Sequence, residues 1–179
     1  MPEVIDAYSH VTTERTLDAL EAVHPNPELD SLRTAPRMVA VDGRVEHLDR
    51  HGVDRQVISQ VPSPMWRGID PAELAEPTRV ANDEIRGIAD EYPDRFLPIG
   101  HVPALDGEYV EEARRCVEEL DFHGVQVFSN VEGRPLAHQD FEAFWATMDD
   151  LGVPVWIHPA LPASLPIDEG WAWIQKMLA

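Results

Sequence analysis

The chain alternates short apolar runs with longer amphipathic segments, and this alternation constrains the fold more than any other feature. Five apolar runs predict β-strands, at residues 3–11, 55–62, 96–104, 123–131 and 153–162. The segments between them carry apolar side chains at helical spacing, except for a predicted loop at 25–42 and a predicted loop with a short helical turn at 63–77. Strands that alternate with helices form βαβ units around a parallel sheet, so the predicted fold class is α/β.

Two parallel architectures fit this order of elements, an open doubly wound sheet and a (β/α) barrel. No glycine-rich phosphate loop follows the first strand, which weakens the dinucleotide-binding alternative. Polar and histidine side chains end the strands instead: Ser9 and His10, Ser59 and Gln60, His101, Ser129 and Asn130, and His158. Functional groups at the carboxyl ends of several strands are typical of a barrel active site. A full barrel has eight strands and about 250 residues, so we predict a (β/α)8 barrel of the TIM-barrel type, truncated to about its first five strands.

The length of 179 residues suits a single domain, which we expect to span residues 1–179 and to include a partial helix at 163–179. Acidic residues outnumber basic ones by 33 to 14, for a net charge of −19. This excess of carboxylates argues against binding to nucleic acid and to anionic membranes, both of which need lysine and arginine. The sequence shows neither a secretory signal nor a membrane-spanning apolar run, so we expect a cytoplasmic protein.

The stretch "VIDAYSHV" at residues 4–11 holds the first candidates for a chemical role. Alternate residues of a strand face the same way, so Asp6, Tyr8 and His10 are expected on one side, the interior of a barrel. His158, in "VWIHP", would stand across the barrel mouth from His10. Imidazoles and carboxylates on strand ends can bind a divalent metal, which lowers the pKa of its bound water towards about 7. The alternative is a pair of hydrogen-bonded histidines without a chemical role.

Further side chains are candidates for binding a substrate. Asn130 and Arg134, in "SNVEGRPL", follow the fourth strand, where an amide and a guanidinium could hold a carboxylate. The alternative for Arg134 is a structural place in a turn centred on Gly133. Trp66 lies on a loop after the second strand, where it could line the pocket or cap the core. His101, at the end of the third strand, could face the mouth, although a lone histidine there is more often only hydrogen-bonded or solvated.

Four segments of the chain together resemble one known family. "VIDAYSHV" resembles the ID-x-H-x-H opening of the amidohydrolase superfamily. "NDEIRGIADEYPDRFLPIGHVPALD", "GVQVFSNVEGRPL" and "LGVPVWIHPA" look like the amidohydrolase-related branch that contains the aminocarboxymuconate-semialdehyde decarboxylases. The likeness runs from about residue 4 to residue 162, with the segments in the order and spacing of the family.

The resemblance implies a metal-dependent hydrolase or decarboxylase (carboxy-lyase) that acts on a small organic acid, with zinc as the expected metal. His10 matches the second histidine of the family's first-strand pair, and His158 matches the ligand at the end of the fifth strand. Tyr8 stands where the first histidine of the pair belongs, and Asp6 matches the aspartate of the motif, so both are further candidate ligands. The family's remaining histidine and aspartate ligands follow strands six and eight, which this sequence lacks.

Tyr8 and the missing strands leave a second function open, a family member without catalysis that acts as a binding or interaction subunit. A phenol, with a pKa of about 10, must lose its proton before it binds zinc well. An open five-stranded sheet would also expose two edges and one apolar face. We therefore expect a homo-oligomer or a complementing chain, unless residues 163–179 fold back across the opening.

Overall fold

The structure, a computed structural model, describes residues 2–39, 41–60 and 69–160, so Trp66 and the predicted helix at 163–179 lie outside it. Its strands are β1 (Ile5–Val11), β2 (Arg55–Gln60), β3 (Phe96–Pro98), β4 (Gly100–His101), β5 (Val125–Phe128), β6 (Asn130–Val131), β7 (Arg134–Pro135) and β8 (Val155–His158). Its α-helices are α1 (Glu14–Val23), α2 (Pro27–Arg33), α3 (Pro36–Val39), α4 (Asp42–His51), α5 (Pro71–Glu91), α6 (Glu108–Glu118) and α7 (Glu142–Leu151). None of these described helices is both long and apolar enough to cross a membrane.

The main strands are parallel neighbours in the order in which they occur along the chain. β1 pairs with β2 and β2 with β3, while β4 pairs with β5 and β5 with β8. The N–H of Ile99 bonds to the carbonyl of Ile58 at 3.0 Å, and the next N–H, of Gly100, bonds to the carbonyl of Gly124 at 2.9 Å. β3 and β4 are therefore two halves of the third predicted strand, which changes its partner at residue 99.

This strand order distinguishes the two predicted architectures. A doubly wound sheet reverses its strand order at a switch point, whereas a barrel adds each new strand beside the last. Here the five predicted strands follow one another without reversal, as the first five strands of a barrel do. The α/β class and the barrel-type order are thus confirmed. Within the described ranges β1 and β8 do not pair with each other, so these strands form an open sheet.

The apolar core lies between the sheet and its helices. Large side chains that are fully or almost fully buried include Leu17, Leu20, Ile58, Leu74, Ile85, Phe96, Phe141 and Phe144. Each contributes about 1.5–3 kcal/mol relative to an exposed side chain. α6 packs tightly against the sheet at Gly100, where an added Cβ atom would lie 2.7 Å from the Sγ atom of the buried Cys116. Glycine at position 100 therefore allows this close contact between helix and strand.

The two predicted loops contain helices, because prolines that suggest a loop in the sequence also suit the first position of a helix. Pro27 and Pro36 begin α2 and α3 in the first of these segments. In the second, Asp70 caps the helix and Pro71 is its first residue, so α5 starts six residues before Pro77. Pro77 lies in the second turn, where it removes a single backbone hydrogen bond from a helix of 21 residues.

Candidate metal centre

The ends of the first and last strands of the sheet bring three aromatic rings together. Tyr8 and His10 extend from β1, and His158 is the last residue of β8. The ring centroids of His10 and His158 are 5.3 Å apart, and the Tyr8 ring lies 4.9 Å from His10 and 6.0 Å from His158. The sequence predicts that His158 stands across the barrel mouth from His10, and the structure brings the two rings close together. We call Tyr8, His10 and His158 the ring cluster.

A β-bulge in β1 separates Asp6 from the ring cluster. The pairing of β1 with β2 shifts by one residue between Asp6 and Ser9, and an extra residue reverses the alternation of the side chains beyond it. The Asp6 carboxylate accepts hydrogen bonds from Gln56 Nε2 at 2.7 Å and from the Tyr8 N–H at 3.3 Å. The expectation that Asp6, Tyr8 and His10 face one side is therefore wrong for Asp6.

His10 is held from two directions by hydrogen bonds. Its Nδ1 atom lies 2.9 Å from the hydroxyl oxygen of Ser59 on β2. Arg44 of α4 donates to the His10 carbonyl oxygen at 2.7 Å and to the Ser9 hydroxyl at 2.5 Å. The guanidinium thus ties the end of β1 to the helix layer, while Ser59 orients the ring.

His158 is oriented by the backbone of its own loop. Its Nδ1 atom lies 2.8 Å from the carbonyl oxygen of Pro159. Because a carbonyl oxygen only accepts, Nδ1 carries the proton, and in the neutral ring the lone pair is on Nε2. Histidines that bind metals in proteins usually donate their other ring N–H in this way. The Ser129 N–H also donates to the His158 carbonyl at 2.8 Å, which fixes the end of β8 against the end of β5.

Burial keeps the histidines of this region neutral. Desolvation, with smaller effects from the nearby charges of His158 and Arg44, lowers the pKa of His10 to about 4. His101 on β4 is fully buried, and desolvation lowers its pKa to about 3. Desolvation also lowers the pKa of His158. Because these pKa values are lowered, all three rings are neutral at neutral pH. Neutral imidazole is the form of histidine that binds metal ions.

Tyr8 differs from its histidine neighbours in its chemistry. Desolvation raises the pKa of its phenol to about 12, so the hydroxyl keeps its proton at neutral pH. A protonated phenol donates a hydrogen bond but is a poor metal ligand. The side chain is 40% exposed, which leaves it accessible to a molecule bound at the strand ends.

The two histidines of the ring cluster fit a divalent metal in donor type and in spacing. Metal–nitrogen distances of about 2.0–2.1 Å place two imidazole centroids about 5 Å apart around a tetrahedral ion. The observed separation of the His10 and His158 rings is 5.3 Å. Among the described residues, no group of three or more histidine, cysteine, aspartate and glutamate side chains could hold a metal ion. A catalytic zinc site has three protein ligands, so the pair His10 and His158 would fall one short of such a site, and their role as ligands stays a prediction.

Asn130 and Arg134 lie in the turn after β5, where both side chains have structural contacts. Asn130 accepts a hydrogen bond from the Gly133 N–H at 3.0 Å and donates one to the Ala160 carbonyl at 3.3 Å. The ion-pair partners of Arg134 are Asp106 and Asp140, each at 3.4 Å, and Glu132 at 3.7 Å. These contacts favour the turn alternative for Arg134, because three carboxylates already surround its guanidinium. Binding of a substrate carboxylate by either residue stays a prediction.

Two further side chains of the site are not among the candidates that the sequence predicts. Gln126 in the middle of β5 is fully buried; its Oε1 atom accepts from the Ser59 hydroxyl at 3.0 Å, and its Nε2 atom lies 3.4 Å from His101 Nδ1. A buried chain of hydrogen bonds thus runs from His10 through Ser59 and Gln126 to His101. The one sequence signal for Gln126 is a polar residue inside the apolar run "GVQVF". Arg44, which holds the end of β1, has no such signal.

Comparison with known proteins agrees with this arrangement. The amidohydrolase family model matches residues 5–176. A 2-amino-3-carboxymuconate-6-semialdehyde decarboxylase of Dictyostelium discoideum is 34% identical over 119 residues, which are 66% of this chain and 33% of the relative. A gamma-resorcylate decarboxylase of Polaromonas sp. strain JS666 is 32% identical over 175 residues, which are 92% of this chain and 53% of the relative. The chain thus spans about half the length, or less, of these curated relatives.

A solved structure supports both the fold and the expectation of a divalent metal. The dihydroxybenzoic acid decarboxylase of Polaromonas sp. JS666 superimposes with a TM-score of 0.76 at 29% identity, over 97% of this chain and 55% of that one. That crystal structure holds manganese and the inhibitor 2-nitroresorcinol. The metal of this relative is manganese, whereas the sequence resemblance implies zinc.

Proposed function

This chain belongs to the amidohydrolase family, and on that premise we propose that it carries part of the metal site of a decarboxylase for a small aromatic acid. The observation that carries the proposal is the pair His10 and His158, two neutral imidazoles with ring centroids 5.3 Å apart. Protein groups engage Nδ1 in both rings, so Nε2 is the nitrogen that each offers to a metal. The curated relatives from Dictyostelium and Polaromonas are both named as decarboxylases.

His10 and His158 are the proposed ligands of a divalent metal, manganese or zinc. Imidazole nitrogen suits zinc, and the manganese of the Polaromonas decarboxylase makes that ion the second candidate. A bound divalent ion would polarise an oxygen atom of the acid and hold it in place. We do not include Asp6 among the ligands, because its carboxylate bonds to Gln56 beyond the bulge.

The chain's own residues then prepare the site for an acid. Loss of CO2 leaves a carbon that must take up a proton, so the site has to orient the acid and limit access of water. Tyr8 keeps its phenolic proton, and we propose that it donates a hydrogen bond to an oxygen of the acid. Beneath the ring cluster, Ser59, His101 and Gln126 are buried, so bulk water does not reach them.

A second copy of the chain, or a complementing chain, is the proposed partner of the open sheet. Ile157 of β8 is 54% exposed, and Val4, just before β1, and Ile5, its first residue, are 48% and 43% exposed. Exposed apolar side chains beside unpaired strand edges favour association. Light scattering should detect an assembly larger than one chain, and Ile157→Lys should shift it towards monomer. A monomer at all accessible concentrations would contradict this part of the proposal.

The test of the proposed function is metal binding followed by turnover. Calorimetric titration with Mn²⁺ and with Zn²⁺ should give one site per chain, lost in His10→Ala and in His158→Ala. The exposed His123 provides a matched control, and His123→Ala should bind like the parent chain. The metal-loaded chain should release CO2 from 2,6-dihydroxybenzoate. Absence of metal binding would reject the proposal and favour the non-catalytic alternative, whereas binding without CO2 release would reject decarboxylation by this chain.

A further inference from the structure

The geometry points to Gln126 as a positioning residue that, through Ser59, holds the His10 ring with its proton on Nδ1. Three contacts make up the path: Gln60 carbonyl to Gln126 Nε2 at 3.4 Å, Gln126 Oε1 to Ser59 Oγ at 3.0 Å, and Ser59 Oγ to His10 Nδ1 at 2.9 Å. In this path each group can act only as the donor or the acceptor that its neighbour requires. The path begins at the Gln60 carbonyl, which can only accept, so this carbonyl determines which group donates in each of the later hydrogen bonds.

The Gln60 carbonyl fixes which way the Gln126 amide points. A carbonyl oxygen accepts and never donates, so the end of the amide that faces it must be the NH2 group. The same NH2 group lies 3.4 Å from His101 Nδ1, where it again can donate. The carbonyl end, Oε1, is therefore the end that faces Ser59. Gln126 is fully buried, so water does not compete for either end.

The Ser59 hydroxyl donates to Gln126 and therefore accepts from His10. Its single proton goes to Gln126 Oε1, which only accepts, and the 3.0 Å distance is shorter than the alternatives at 3.4 and 3.5 Å to the carbonyls of Gln60 and Ser9. The lone pairs of the Ser59 oxygen then face His10, so His10 Nδ1 must be the donor. With its proton on Nδ1, the neutral ring has its lone pair on Nε2.

A backbone carbonyl at His158 and a side-chain hydroxyl at His10 thus stabilise the same tautomer, with the proton on Nδ1, in both histidines. His158 donates its Nδ1 proton to the carbonyl of Pro159, and His10 donates its own to Ser59. Both rings then offer Nε2 to an incoming ion without any change of tautomer. The use of this tautomer for metal binding rests on the proposed function, but the tautomer itself is a property of the metal-free chain.

Nitrogen-15 NMR of the metal-free protein tests the inference without any need for activity. Two-bond correlation spectra at neutral pH should show His10 protonated on Nδ1 in the parent chain. Ser59→Ala and Gln126→Leu should shift His10 towards a mixture of tautomers, while Ser59→Thr, which restores the hydroxyl, should keep Nδ1 protonated. Thr12→Val is the matched control, because the buried Thr12 hydroxyl bonds to Gln60 rather than to His10.

The parent spectrum alone can overturn the inference, so it does not depend on whether the variants fold. A proton on Nε2 of His10 in the parent chain, or an unchanged tautomer in both Ser59→Ala and Gln126→Leu, would reject it. Titration with Mn²⁺ then separates this inference from the proposed function. Ser59→Ala should weaken Mn²⁺ binding about 10- to 100-fold. A parent chain that shows the Nδ1 proton but binds no Mn²⁺ would reject the proposed function and leave the positioning role intact.

Discussion

The indole N–H of Trp156 donates a hydrogen bond of 3.2 Å to the carbonyl oxygen of Ala7, although the two residues belong to the last and the first strand of the sheet. β2, the strand formed by β3 and β4, and β5 lie between β1 and β8 in the order of pairing, so only a strongly curved sheet allows this contact. The bond lies near the strand ends that carry His10 and His158. It is therefore a direct link between the two halves of the ring cluster.

Trp156→Phe should weaken metal binding more than it weakens the fold. The change keeps the aromatic ring but removes the donor to Ala7, so the free energy of unfolding should fall by about 1 kcal/mol. Without the link, His10 and His158 are less well held at 5.3 Å, and the Mn²⁺ dissociation constant should rise several-fold. Urea denaturation and calorimetric titration measure the two effects separately.

Trp145→Phe is the matched control for this variant. The Trp145 indole donates a comparable hydrogen bond, 2.8 Å long, to the Leu136 carbonyl outside the ring cluster. It should lose a similar amount of stability and bind Mn²⁺ like the parent chain. Equal metal affinity in Trp156→Phe and Trp145→Phe would show that the link to Ala7 does not matter for the site.

The stability of the metal-free chain should decrease when the pH falls below about 6.5. Unfolded histidine has a pKa of about 6.5, whereas the folded chain lowers the pKa of His10 to about 4 and that of His101 to about 3. Between these values the unfolded state binds protons that the native state does not, so protonation favours unfolding. Each such histidine contributes at most about 1.4 kcal/mol per pH unit in this window.

Urea denaturation in the presence of a chelator, at about pH 7 and about pH 5, measures this slope. His101→Gln should reduce the pH dependence of the free energy of unfolding by an amount that corresponds to at most one bound proton. Equal stability of the parent chain at the two pH values would contradict the burial of neutral histidines.

The strands and the two histidines could be predicted because they depend on local pattern. Apolar runs and histidines at strand ends can be identified from the sequence alone, and the parallel pairing of the strands follows from their alternation with helices. The position of Asp6 could not be predicted, because a bulge depends on how β1 pairs with β2, a strand more than 40 residues away. Gln126 was missed for a similar reason: its partners Ser59 and His101 come from other strands.

Local pattern also misled where one residue type serves two structures. A high number of prolines in a segment suggests a loop. The prolines at the start of α2, α3 and α5 instead occupy the first turn of a helix, where proline is favoured. Arg134 after a strand end suggests a carboxylate ligand, and this stays a prediction, but the sequence does not show that three carboxylates of the chain surround the guanidinium. For the prolines the missing information is the position of the helix start, and for Arg134 it is the set of tertiary neighbours.

Glu112→Ala should be among the most destabilising substitutions outside the apolar core. The Glu112 carboxylate is 3% exposed and accepts from Asn82 at 2.8 Å and from Arg115 at 2.8 and 2.9 Å. Asn82 in turn bonds to both the N–H and the carbonyl of His101, at 2.9 and 3.2 Å. Removal of one partner from such a buried group costs about 3–5 kcal/mol.

An exposed ion pair on the same helix gives the comparison for Glu112. Glu118 pairs with Arg114 at 3.2 Å on the surface of α6, and half of the Glu118 side chain is accessible to solvent. Glu118→Ala should therefore cost no more than about 1 kcal/mol. Urea denaturation of both variants measures the difference, and similar losses would mean that the buried network around Asn82 contributes little.

Tyr8→His should strengthen metal binding, because it supplies the third imidazole that the described residues lack. The Tyr8 ring lies 4.9 Å from His10 and 6.0 Å from His158, so a histidine on the same backbone has both neighbours within reach of a shared ion. The phenol it replaces has a pKa raised to about 12 and keeps its proton at neutral pH. We expect the Mn²⁺ and Zn²⁺ dissociation constants to fall at least about tenfold, which corresponds to about 1.4 kcal/mol. Tyr92→His, at the end of α5 and outside the ring cluster, should leave both constants unchanged. Unchanged binding in Tyr8→His would show that the end of β1 does not present its side chain to the ion held by His10 and His158.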